Sequence, residues 1–169
     1  VAGFYTTTAE GALAVVPRVI GQGSKFDLDG DTVLYHEYAH HLMFQYFQAA
    51  YPSWYVEGFA EFMSTTTFDE KTGKANIGMP ANHRAYGLAL GPSIPLRRLL
   101  TAQSGDMSST ERDPFYGRSW FLVHFLSFSI ERKGQLQTYL NKVADGIASL
   151  TAAEQAFGDL GVLDRDMKR

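Results

Sequence analysis

The hydrophobic pattern changes period along the chain. Phe4 to Thr8 and Leu13 to Val16 are short, β-prone runs separated by Glu10-Gly11, and they predict two strands of a small sheet. After the loop Gly21-Gln22-Gly23-Ser24 and the turn Asp29-Gly30-Asp31, the period lengthens. Thr32 to Gln48 holds no Gly or Pro and sets Leu34, Leu42 and Phe47 around small Ala39, which predicts a helix with Asp31 as its N-cap. Pro52 opens a second helix to about Ser64, because proline suits a first helical turn. Thr65 to Phe68 and Lys74 to Ile77 flank Lys71-Thr72-Gly73 as a hairpin. Residues 78–113 read as loop with one short helix near Leu96 to Ala102. Pro114 to Arg132, Gln135 to Ala144 and Ala152 to Phe157 complete the helices. Strands come first and helices after, which predicts an α+β fold: a small N-terminal β-sheet followed by a mainly helical C-terminal part.

At 169 residues the chain is expected to form one domain, 1–169. It begins at Val1 without an initiator methionine, so a processed chain or a piece of a longer protein is expected. With no cysteine, a disulfide scaffold, a cysteine nucleophile and a thiolate metal site are excluded. A net charge of -3 argues against a nucleic-acid partner. No apolar run reaches the ~18 residues of a membrane span.

One segment carries chemistry. His36-Glu37-Tyr38-Ala39-His40 is an HExxH sequence on the predicted helix. Four residues advance a helix by about one turn, so both imidazoles face one side, ~6 Å apart, within reach of one zinc ion. Glu37, rotated by ~100° from the first ligand, flanks the metal and is placed to take a proton from a water that the metal polarises. The motif also occurs by chance on helix surfaces, so a second segment decides. Sixteen residues separate His40 from Glu57, which lies in Trp54-Tyr55-Val56-Glu57-Gly58-Phe59-Ala60-Glu61-Phe62. A turn at Ala49 to Pro52 lets the second helix fold back and offer Glu57 as third ligand. Glu61, one turn on, can support a ligand histidine from behind through its outer nitrogen. The alternative is a solvated stripe of two glutamates. Gly58 speaks against it, because glycine costs a plain surface helix ~1 kcal/mol and makes sense where backbones approach closely.

HExxH followed by Trp-x-x-Glu-Gly-x-Ala-Glu-Phe resembles the gluzincin clan of zinc metallopeptidases, and most nearly the compact peptidase-MA-like domains of bacterial proteins. The likeness covers Thr32 to Phe62. It implies a zincin-like fold, peptide or protein substrates, His36, His40 and Glu57 as zinc ligands, Glu37 as general base and acid, and Glu61 behind them. It points to a periplasmic or secreted location. Thermolysin-like members typically carry Asp where this chain has Glu61. The Gly-x-Met-Glu-Asn loop that grips a free amino terminus is absent before residue 36, so aminopeptidase specificity is not implied. Phe115-Tyr116-Gly117-Arg118-Ser119 resembles the stretch that carries an oxyanion-stabilising tyrosine in the single-zinc aminopeptidases, which makes Tyr116 the candidate for that role. Tyr86 and His83 in the long loop are alternatives. His124, among Phe121, Leu122, Phe125 and Leu126, reads as a satisfied core histidine, and His41 as facing away from the metal. Strand Leu13 to Val16 is the expected edge for an extended substrate. The expected activity is peptide hydrolysis. A same-fold hydrolase of a non-peptide bond, a metal-binding module without turnover and a metal-free helical domain are the competing readings.

Overall fold

Asp29, not Asp31, caps the first helix: its carboxylate accepts from the Thr32 amide at 2.6 Å. The helix therefore begins two residues earlier than the pattern predicts, and α1 runs Gly30–Tyr46 in a computed structural model that describes residues 3–8, 11–16, 24, 26–47 and 49–169. Then α2 runs Ser53–Ser64, one residue later than predicted, with Pro52 at its N-cap rather than in its first turn.

The expected α+β architecture does not form. The described residues contain two separate antiparallel strand pairs and eight α-helices. β1 (Phe4–Thr8) pairs only with β2 (Gly11–Val15), in the register Phe4 to Val15 through Thr8 to Gly11. β3 (Thr67–Phe68) pairs only with β4 (Ala75–Asn76). A two-stranded ribbon has no sheet face broad enough to carry a core. Leu13 and Val15 are exposed, and the buried hydrophobic residues come from helices and their connections. The β-prone runs are real, but they make ribbons at the edge of a helical molecule.

The remaining helices are α3 (Ala85–Leu90), α4 (Leu96–Thr101), α5 (Ser109–Phe128), α6 (Gln135–Ala144), α7 (Ser149–Phe157) and α8 (Leu160–Met167). No described helix is long and apolar enough to cross a membrane. α2 is the central element, packed on α1 along one side and on α5 along the other. Gly58 makes the second contact possible. A Cβ there would lie 2.6 Å from the Ser119 carbonyl oxygen and 3.0 Å from Val123 Cγ2. At the far end, fully buried Trp54 donates its indole N–H to the Tyr139 hydroxyl at 2.8 Å, which in turn meets Ser149 Oγ at 2.8 Å. That chain fastens α2 to α6 and α7, so α2 is held from three directions before any chemistry is asked of it.

Candidate metal centre

The i, i+4 spacing on α1 brings the two imidazoles together: His36 Nε2 and His40 Nε2 are 3.0 Å apart. From α2, Glu57 Oε2 approaches to 3.5 Å from the first and 3.3 Å from the second. Three ligands at the usual ~2.0–2.1 Å around a tetrahedral zinc would be ~3.3–3.4 Å from one another, so the triangle has the size that such an ion requires. Among the described residues, these three form the one cluster with metal-ligand spacing. Glu57 Oε2 is buried and faces the two imidazole nitrogens at ion-pair distance. Carboxylate charge buried there is costly unless a cation balances it, and a cation at the centre of the triangle would do so.

Glu61, 1% exposed, stands directly behind His36. His36 Nδ1 is 3.2 Å from Glu61 Oε1. His83 Nε2 lies 2.9 Å from Glu61 Oε2, and Arg84 donates to both carboxylate oxygens, Nε at 3.0 Å and a terminal nitrogen at 2.5 Å. The other terminal nitrogen of Arg84 donates to Asp113 at 2.7 Å. Burial pushes the Glu61 carboxyl upward, but the Arg84 charge and the bonds from His36, His83 and Arg84 hold it well below its ordinary value. Burial likewise opposes charge on His36, yet its bonds to Glu57 and Glu61 raise it from 6.5 to about 9. Glu57 is pushed up by burial and held down by the two imidazoles, with a lowered value as the result. Without a metal, a proton on His36 therefore fills part of the role of a cation. His40 has no such support: its Nδ1 is buried with no partner among the described residues, and the ring stacks on Phe44 at 5.9 Å.

Glu37 is 8% exposed and lines two clefts that meet beside the triangle. The larger, about 530 Å³, opens on the His36 side and includes Gly3, His83, Arg84, Arg112 and Tyr116. The smaller, about 360 Å³, opens on the His40 side against Phe44 and Val56. The N-terminal ribbon reaches the site through Gly3, where a Cβ would lie 3.4 Å from Glu37 Oε1. Among the described side chains of the expected substrate edge, those of Leu13, Val15 and Val16 line neither cleft, while the Val15 carbonyl lies beside Gly3, where a Cβ would be 3.0 Å from it.

Tyr116 lies beside His36. Its ring stands edge-on to His36 at 6.2 Å, and the Arg84 guanidinium lies over its face at 4.9 Å. Burial and the nearby Glu57 charge push its hydroxyl up to about 12, so it keeps its proton at neutral pH. Tyr86 does not join: it is exposed, and packs on Phe26 at 5.4 Å. His83 joins, but as a partner of Glu61. His124 sits among Trp120, Phe62 and Phe128 and bonds the Gly78 backbone, and His41 stacks on Tyr38. Sequence reasoning missed Arg84 and Asp113. A signal existed: Arg84 is the single Asp, Glu, Lys or Arg between Lys74 and Arg97.

No protein-family model, curated protein or solved structure matches this chain.

Proposed function

We propose that the chain is a zinc-dependent metallopeptidase of the gluzincin type, with His36, His40 and Glu57 as ligands. The observation that carries this reading is the triangle of donors of zinc-binding size, with the buried Glu57 Oε2 at one corner and Glu37 beside it in an open cleft. Zinc held there supplies Lewis acidity to a water and to a substrate carbonyl. Glu37 takes a proton from the attacking water and returns it to the leaving amine nitrogen. The protonated Tyr116 hydroxyl donates a hydrogen bond to the carbonyl oxygen as it gains negative charge. Glu61 holds the His36 ring with Nε2 turned toward the metal.

The test is Glu37→Gln, with zinc and turnover measured on one preparation. Glutamine keeps the shape and leaves the ligands in place, so about one zinc per chain is expected in both proteins. Cleavage of a peptide library should fall by ~10²–10⁴-fold, the span of one positioned acid–base group. Full turnover in the variant, or a wild type that binds no zinc, would overturn the reading. A wild type that cleaves amide or ester bonds outside peptides would redirect the substrate assignment.

A further inference from the structure

One side chain that joins several parts of the site is not on either helix that carries the ligands. Arg84 lies at the end of a single 3₁₀ turn, Asn82–Arg84, and its guanidinium is fully engaged. It grips Glu61 with two nitrogens, at 2.5 and 3.0 Å, and Asp113 with the third at 2.7 Å, while its face covers the Tyr116 ring at 4.9 Å. Glu61 in turn meets His36 Nδ1. One planar group thus touches the carboxylate behind a ligand on α1, the helix α2 that carries another, and the tyrosine on α5. Two glycines permit the approach. A Cβ on Gly117 would lie 2.8 Å from Leu88 Cγ and 3.3 Å from Arg84 Cβ, and a Cβ on Gly87 would collide with Asp113.

We propose that Arg84 is a positioning residue that sets the metal ligand His36, through Glu61, and the cleft tyrosine Tyr116, through its ring face, in one fixed relation. A lysine cannot replace it: an ammonium is a point charge with no flat fork to hold two carboxylates and cover a ring at once. The proposal builds on the metallopeptidase reading, but its first test does not depend on turnover.

That test is zinc affinity by competitive chelation in Arg84→Lys, Glu61→Gln and the double variant. Lysine keeps the charge that buried Glu61 needs, and Arg84→Met with Glu61→Gln removes both charges together should Arg84→Lys fail to fold. Arg84→Lys is expected to weaken zinc by ~10–100-fold, as loss of an outer support does. In the Glu61→Gln background the same change should add little, because Arg84 reaches His36 only through Glu61. Should the fallback pair be needed, it is expected to match Glu61→Gln alone. The second arm is kcat on the zinc-loaded protein: Arg84→Lys should lower it in the wild type and not in Tyr116→Phe. Native zinc affinity in Arg84→Lys, losses that add fully in the Arg84→Lys/Glu61→Gln variant, or a fallback pair that binds zinc more weakly than Glu61→Gln alone, overturns the proposal. If the loaded wild type cleaves no peptide, the function proposed above falls while the zinc titrations still decide the role of Arg84.

Discussion

Glu57 and Glu61 stand one turn apart on α2, yet their surroundings divide their roles. Glu57 Oε2 faces the imidazole nitrogens of His36 and His40 at 3.5 and 3.3 Å, whereas both oxygens of Glu61 are taken by His36, His83 and Arg84. Glu57→Gln should therefore weaken zinc more than Glu61→Gln, since the first removes a ligand and the second a support worth 10–100-fold. Chelator titration of the two variants checks this, and the reverse order would exchange their roles. At Tyr116 the change concerns chemistry rather than binding. Tyr116→Phe should leave zinc content and KM near wild type and lower kcat by ~10²–10³-fold, the usual loss of one oxyanion donor. An unchanged kcat would leave charge stabilisation to other groups in the cleft. The residues that the sequence made legible are those set by a helical period: His36, Glu37 and His40 within one turn, Glu57 and Glu61 four apart. Arg84 and Asp113 lie 23 and 29 residues from the partners that engage them, and no local period encodes a contact of that range.

Elements followed the same division. α6 and the start of α2 lie within a residue of where the sequence predicts them, because a period or a proline marks them inside the sequence. α5 does not: Pro114 draws the predicted start to itself, but Ser108 and Glu111 form a capping box that begins the helix at Ser109. The proline then sits in the sixth position and removes a single intrahelical hydrogen bond, a cost the cap and the buried face of α5 outweigh. α3 hides in a Gly- and Pro-rich stretch, and α8 follows Gly158, which reads as a stop. The contact that matters most for the site, α2 against α5, was foreshadowed by Gly58. Gly58→Ala would push a methyl group into the Ser119 carbonyl, a backbone atom that cannot swing aside. Overpacking of this kind typically costs ~1–3 kcal/mol, to be read as a lowered denaturation midpoint. Because α2 carries Glu57, zinc affinity should fall with it. A variant as stable as the wild type would mean that α2 and α5 are less tightly held than their backbones indicate.

For the molecule as a whole, the proposed metal site would couple metal, protons and stability. In the metal-free protein His36 has a folded value of about 9 against 6.5 when free. Its contribution is present in full below pH 6.5 and is lost as pH rises through 9. Glu61 works in the opposite sense: held well below 4.5, it stabilises above that pH and its contribution is lost on acidification. The metal-free protein should thus be most stable between pH 4.5 and 6.5 as far as these two groups decide it. Zinc changes the upper limit. In the proposed site an ion would take the place of the proton between His36 and Glu57, so binding below pH 9 should release that proton and tighten as pH rises. Free zinc at a hundred times its Kd adds ~2.7 kcal/mol to the folded state. Thermal unfolding with chelator and with zinc should therefore diverge steadily from pH 6.5 to 9: the first curve falls and the second holds or rises. Proton release on zinc addition, measured in two buffers of different ionisation enthalpy, supplies the independent count and should approach one per ion at the lower end of that range. Parallel curves with no proton released would mean that His36 does not exchange its proton for the metal.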